Sequence, residues 1–340
     1  MPSQYANYPH YVPIVKWQKW ERLALKKIDA TDALRVLPCI EVRDSAQHQR
    51  ALSDYDHTWS LPALVDYSNP LGQLPPGRAT ELAEFLKTVK GSATYASPVL
   101  NPAVAPLVFP SIKSVLGSRK VTLRVRLSNL DQSAGHLNSL KIALAAPGVA
   151  AATNRLIVDL GATPVGIGKV QATALAVELQ QMKALGFEHL HLASGAFPDS
   201  LMHINGAGHV DRRDWAFWVQ VAAASPSLLA GYSDYGPLTP NWSEGVLQRR
   251  GNRSVIRYAL DDKWRIIRAA TNTTSDSIAI STLMVTTYGH EFMGAPFSYG
   301  DQLIEERADP HLPLAKKRCG QYHITEFWNH HIAHVVKRQY

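Results

Sequence analysis

The chain has 340 residues, 46% of them hydrophobic and 19% charged, and a formal net charge of +7. These proportions belong to a folded chain with a large core and exclude a disordered one, and no apolar run is long enough to cross a bilayer as a helix. Two cysteines cannot build a disulfide framework, and the opening MPSQYANYPHY lacks the basic and apolar regions of a secretory signal, so the expected location is the cytoplasm.

Eight short apolar runs read as strands, at residues 11–17, 35–43, 61–67, 93–100, 121–127, 156–160, 189–193 and 228–232. Runs of this length bounded by turn residues are the pattern of strands buried on both faces. Helical spacing fills most of the gaps. Trp20 to Lys27 follows the first strand, and Thr80 to Lys87 follows the third, with Thr80 expected as N-cap. Lys169 to Leu185 stops at Gly186, and Arg212 to Ala224 precedes the eighth strand. Strand and helix alternating eight times predict an α/β fold, a (β/α)8 TIM-like barrel over residues 1–237. An open doubly wound sheet is the alternative.

Beyond residue 237 the rhythm changes. Ser254 to Leu260 and Trp264 to Arg268 flank Asp261-Asp262, which predicts either a hairpin or a strand running into a helix. Residues 275–288 are apolar and β-branched, and 326–337 form a His-rich helix candidate. Residues 238–340 are therefore expected as a C-terminal capping segment packed on the barrel.

In such barrels the residues at the C-terminal strand ends line the mouth. Reading them off gives Lys16, Glu41, Asp66, Arg126, Asp159 and Asp234, four acids against two bases. Carboxylates brought together must hold protons or share a cation. One expectation is a magnesium-type site of Glu41, Asp66 and Asp159, with Lys16 and Arg126 facing a phosphate, suited to metal-assisted phosphodiester or nucleotide hydrolysis. The other is a sealing set of ion pairs, Lys16–Glu41 and Arg126–Asp159. Ser194, after the seventh strand, offers a hydroxyl but lacks the nucleophile-elbow pattern. The loop from Gly161 to Lys169 matches neither a Walker nor a dinucleotide motif. His330 and His334 have a zinc-clamping spacing without the glutamate of a metalloprotease. Cys39 reads as a small buried hydrophobe, and Cys319 has no neighbour placed to activate it. The modest, dispersed positive charge permits a phosphate-bearing or nucleic-acid partner without demanding one.

Several blocks carry a family resemblance. Tyr11-Val-Pro-Ile-Val-Lys-Trp with Glu21, Leu37-Pro-Cys-Ile-Glu41, Leu156-Ile-Val-Asp-Leu-Gly, Ser194-Gly-Ala-Phe-Pro and Gly231-Tyr-Ser-Asp-Tyr come in that order. Ile256-Arg-Tyr-Ala-Leu-Asp-Asp-Lys-Trp, Phe297-Ser-Tyr-Gly-Asp301 and Trp328-Asn-His-His follow. Together they resemble the phage and bacterial beta protein family over nearly the whole chain. That family shows Lys-x-Lys-x-Gly-Glu at the first strand end, where this chain has Gln18 and Trp20 in place of the second Lys and the Gly. The resemblance implies a phage, mobile-element or defence setting and no particular reaction. It adds Arg257, Asp262 and His330 as ligand-binding candidates. The competing expectation is a non-catalytic recognition protein with a protein partner.

Overall fold

The computed structural model describes residues 5, 7–89, 96–127, 133–166, 168–240 and 253–340. Eight parallel strands close a barrel: β1 (Val12–Lys16), β2 (Cys39–Glu41), β3 (Ala63–Asp66), β4 (Ala96–Leu100), β5 (Val121–Arg126), β6 (Thr153–Ala162), β7 (His189–Gly195) and β9 (Gly231–Asp234). β9 pairs with β1 to complete the ring. These are the eight runs expected from sequence. The first residues of the fourth, 93–95, lie outside the described residues.

The strands are apolar on both faces because both faces are covered. One set of alternate residues, among them Val15, Ile40, Val65, Val125, Val158 and Leu192, packs outward on the helices in the main core. The other set, Val12, Ile14, Leu37, Cys39, Leu64, Val99, Ile157 and Ala193, fills the barrel itself. Such two-sided burial is what makes parallel strands read as continuous apolar runs. The close packing leaves no room at Gly231. A Cβ there would lie 2.5 Å from Cδ2 of His191, its neighbour on β7.

The strand ends share a device. Oδ1 of Asp66 accepts from the amide of Ser68 (2.8 Å), Oδ1 of Asp159 from Gly161 (2.9 Å) and Oδ1 of Asp234 from Gly236 (3.1 Å). Each aspartate thus turns the chain out of its strand with its own side chain. In β6 the turn is a bulge. Gly161 takes φ +63°, and pairing resumes at Ala162 with Gly195.

Helices α1 (Lys19–Lys26), α2 (Ala30–Ala33), α3 (Ser45–Thr58), α4 (Pro76–Thr88), α5 (Ala105–Leu116), α6 (Ser133–Ala145), α7 (Val149–Ala152), α8 (Lys169–Lys183) and α9 (Arg213–Ala224) occupy the connections. The third connection's helix starts at Pro76, so Thr80 is not its cap. Pro at the first position, where its missing N–H is no loss, sets the start instead.

After β9 the chain makes a long excursion before its last helix. Strands β10 (Val255–Ala259) and β11 (Lys263–Arg268) form the hairpin around Asp261-Asp262. They join β8 (Ala207–Asp211), from the β7–α9 connection, in an antiparallel sheet of order β10-β11-β8. Helices α10 (Thr274–Thr286) and α11 (Tyr299–Ala308) cover one face of it through Ile280, Met284 and Ile304. Thr273 and Asp276 cap α10 reciprocally. Helix α12 (Tyr322–His334) then returns to the barrel wall. Its Phe327, Trp328 and Ile332 enter the main core, and Asn329 Nδ2 donates to the carbonyl of Ala24 on α1 (3.0 Å). α12 is therefore the eighth barrel helix. A division at residue 237 follows chain order, whereas the packing assigns the final helix to the barrel.

Gly231→Ala should destabilise the protein by about 1–3 kcal/mol, the usual cost of overpacking, as read by urea unfolding. Combining it with His191→Ala should recover part of that loss. A neutral single substitution would contradict the close approach.

Candidate functional site at the barrel mouth

At the C-terminal mouth one guanidinium gathers three acids. Arg124 lies on β5, two residues before the strand end, and is 1% exposed. Its Nη1 donates to Glu41 Oε1 (3.0 Å) and Asp66 Oδ2 (2.8 Å). Its Nε and Nη2 both donate to Asp159 Oδ2 (3.0 and 2.7 Å). Nη2 also reaches the hydroxyl of Tyr235 (2.8 Å), which donates onward to Asp159 Oδ2 (2.7 Å). Around this centre Arg126 Nη2 donates to Asp66 Oδ2 (3.0 Å), and Arg43 Nε to Glu41 Oε2 (3.1 Å). Lys16 lies level with Glu41 and Asp66 in the strand register and is 9% exposed.

Backbone alternation produces the set. Arg124 and Arg126 both point inward, on the same face of β5. Glu41 lies opposite Asp66 and Arg126 opposite Asp159 in the strand register, and Arg124 bridges the two pairs. Burial alone would raise the Glu41 carboxyl, but Arg43, Arg124, Lys16 and Arg126 more than offset it and hold it well below the usual range. Burial likewise works against the charge on Arg124. Tyr235, Asp159 and Glu41 outweigh it and keep the guanidinium protonated.

The carboxylates do not fit the expected magnesium site. Glu41, Asp66 and Asp159 already share a cation, and that cation is Arg124. Among the described residues no group of three or more His, Cys, Asp and Glu is arranged to hold a metal ion. The expected sealing pair Arg126–Asp159 is replaced as well, because Arg126 binds Asp66 and Asp159 binds Arg124, whereas Lys16 stays beside Glu41 and its charge acts on that carboxyl. Among the described residues four bases (Lys16, Arg43, Arg124, Arg126) now face three acids (Glu41, Asp66, Asp159), a sum of +1 where the strand ends alone predict −2.

The other expected residues lie elsewhere. Asp234 faces outward, toward α12. Tyr11 Oη donates to its Oδ1 (2.6 Å), His331 Nε2 lies 2.8 Å from its Oδ2, and both residues belong to the layer outside the strands. Ser194 also points away from the mouth and accepts from the hydroxyl of Thr163 (3.0 Å). Asp262 is exposed in the β10–β11 turn. His330 lies between Asp301 Oδ2 (2.9 Å) and the carbonyl of Ala259 (3.0 Å), stacked on Tyr258, and so joins α12 to the sheet. His334 is buried near Asp261. Arg257 packs between the rings of Phe197 and Phe327 and donates to the carbonyl of Pro237 (2.7 Å), beside the mouth. Cys39 and Cys319 are both free thiols, the first buried.

In the sequence Arg124 competes with Arg126 for the mouth from two residues earlier on the same face, while Arg43 and Tyr235 are not picked out there. The i, i+2 relation to Arg126 marks Arg124. The outward turn of Asp234 puts the next residue, Tyr235, inside.

Asp234 belongs to a second buried cluster. Tyr232 Oη is 2.7 Å from Asp214 Oδ2 and 2.8 Å from Asp234 Oδ2, and Arg212 approaches both acids. One phenolic proton cannot serve two carboxylates, and the environments of the two acids diverge accordingly. Burial pushes Asp214 up to about 6, with Arg212 opposing and the Asp234 charge adding. Burial also opposes ionisation of Asp234, but His331 and Arg212 outweigh it and hold that acid below its usual value.

Fold and mouth together define a closed (β/α)8 barrel protein with an arginine-centred polar mouth. The family model described as Beta protein matches residues 11–337, and the chain belongs to that family. No curated protein matches it. Among the described residues no helix is long and apolar enough to cross a membrane.

The folded value of Asp214 lies above its ordinary 3.8, so folding favours the protonated acid. That contribution is complete below about pH 3.8 and is lost as pH rises through about 6. Asp214→Asn removes the loss. Between pH 4 and 6.5 the variant should gain on the wild type by on the order of 2–3 kcal/mol in chemical unfolding. Parallel stability curves would contradict the assignment.

Proposed function

We propose that this barrel binds a phosphate-bearing ligand in its mouth, and that it recognises the ligand rather than hydrolysing it through a metal. The observation that carries the reading is the residual positive charge. Counted together, Lys16, Arg43, Arg124 and Arg126 exceed Glu41, Asp66 and Asp159 by one charge, and Arg126 and Arg43, though bonded to Asp66 and Glu41, lie at the outer edge of the set, 16% and 14% exposed. Nη1 of Arg126 is buried with no hydrogen-bond partner among the described residues. An unsatisfied buried donor is costly, and a ligand oxygen would relieve it. A guanidinium pair suits phosphate oxygens because charge-assisted N–H donors bind them strongly and in fixed geometry. Nucleotides and nucleic acid both supply such oxygens. Hydrolysis through a divalent ion would need carboxylates free to coordinate it, and all three here are committed to Arg124.

A recognition role with a protein partner, in a defence or counter-defence complex, has an observation of its own. Leu71, Leu107, Val165 and Val170, in loops and helix starts at the mouth end, are 75%, 79%, 81% and 79% exposed. An apolar fringe of this kind is buried when a protein docks.

Titration calorimetry with inorganic pyrophosphate tests the first reading. Wild-type protein should bind it, and Arg126→Gln should weaken binding at the mouth at least tenfold, equivalent to about 1.4 kcal/mol, with the fold intact. Binding unaffected by Arg126→Gln would overturn the reading, and absence of binding would favour the protein partner. Phosphate release from a nucleotide in the presence of magnesium would overturn the non-hydrolytic assignment.

A further inference from the structure

Outside the mouth, one group of charges has no counter-charge among the described residues. Arg257 on β10 and Arg268 on β11 share a face of the antiparallel sheet, because Val255 pairs with Arg268 and Arg257 with Ile266. This is the face on which Phe197, Ile204, Trp264 and Ile266 pack, turned toward the loop after β7. Arg253, just before β10, adds a third positive charge close enough to repel Arg268.

Among the described residues the three most deeply buried arginines meet acids. Arg124 has Glu41, Asp66 and Asp159, Arg307 has Glu326, and Arg212 has Asp234. Among the described residues Arg257 and Arg268 have no carboxylate within ion-pair distance, and their hydrogen bonds go to carbonyls. Arg257 donates to Pro237, and Arg268 to Leu201 and to Ile204 (2.7 Å). Nε of Arg257 is buried without a hydrogen-bond partner among the described residues. Burial and then the charge of Arg268 lower Arg257 to about 10, the direction expected of a cation lacking its anion.

A role as a clamp between sheet and barrel accounts for the carbonyl bonds and the ring contacts. It does not account for gathering three cations or for the orphan Nε. Uncompensated charge in an enclosed setting is costly, and an anion from outside the chain would offset it. A carboxylate brings a single charge and two oxygens. A phosphoryl group brings nearly two charges and three strong acceptor oxygens, which suits two or three guanidiniums better.

We propose that Arg257 and Arg268, flanked by Arg253 and by the rings of Phe197 and Phe327, form a second binding site for a phosphoryl group beside the barrel mouth. It is distinct from the site of Arg126 and Arg43 and stands whether or not that one binds phosphate.

Two measurements test this. Anomalous diffraction from crystals soaked in sodium tungstate, a phosphate mimic, should show a peak within hydrogen-bond distance of Arg257 and Arg268. In calorimetry with inorganic pyrophosphate, Arg268→Gln and Arg257→Lys should each weaken binding at this site at least tenfold. Arg126→Gln should leave it unchanged. Loss of all pyrophosphate binding in Arg126→Gln, with no tungstate on the sheet, would overturn the second site and leave the mouth reading standing. Binding lost only in the sheet variants would do the reverse. If Arg268→Gln fails to fold, the tungstate peak in wild-type crystals decides alone. A titration and a soak that both show no bound anion would overturn this proposal together with the mouth reading. Pyrophosphate and a single-stranded oligonucleotide compared at rising salt would separate a discrete phosphate from a nucleic-acid backbone, since only the latter should show a steep salt dependence.

Discussion

A guanidinium buried inside a closed barrel has to be paid for by its surroundings, and the mouth is organised around that constraint. Arg124 is 1% exposed and has an acid from β2, from β3 and from β6 within hydrogen-bond distance. Removing a charge from water costs several kcal/mol, which only well-placed opposite charges and hydrogen bonds offset. The three acids are equally constrained, for without Arg124 they would be like charges buried together. Each side of the arrangement makes the other tenable. Arg43 then binds the second oxygen of Glu41, and Arg126 shares Asp66 Oδ2 with Arg124, so among the described residues the bases at the opening outnumber the acids.

The barrel was legible because burial on both faces leaves its strands no polar positions until they reach the mouth. Charged residues then gather toward the strand ends, with Lys16, Glu41 and Asp66 level in the register and Arg126 level with Asp159. Asp234 ends β9 as well, but with the opposite parity. Its neighbour Tyr235 faces in, and Asp234 meets His331 and Tyr11 on the outside. Taking one residue per strand also set Arg124 aside in favour of Arg126, although it competes with Arg126 from a full alternation deeper on the same face. Omitting that residue and Arg43 reverses the apparent sign of the mouth and makes a cation site out of an already neutralised set. The strand-end aspartates have a second, structural task that a list of charges does not convey, since Asp66, Asp159 and Asp234 each close a turn on the amide two residues on.

The position of the last helix was hidden for a different reason. Nothing in local periodicity says that Tyr322–His334 belongs beside β9, when β10, β11, α10 and α11 come between them in the chain. The contacts that place it are long-range: Thr325 and Asn329 to the carbonyls of Trp20 and Ala24, and His331 to Asp234. The two histidines with the zinc-clamping spacing, His330 and His334, do share a side of the helix, with ring centroids 5.9 Å apart, and meet Asp301 and Asp261. His331 faces the barrel, and His330 faces the sheet and Asp301. One helix thus ties the two parts of the molecule together through buried polar contacts, which fix its orientation more narrowly than apolar packing would.

The central claim is that Arg124 and the mouth carboxylates form one mutually dependent unit, and a double-mutant cycle measures that directly. Stability to urea would be determined for wild type, Arg124→Met, Asp159→Asn and the double variant. Arg124→Met alone should cost about 3–5 kcal/mol, because it leaves three acids buried without their cation. Asp159→Asn should cost less in that background than in the wild type, giving a coupling energy on the order of 1–3 kcal/mol. Strictly additive effects, or an Arg124→Met variant as stable as the wild type, would contradict the account.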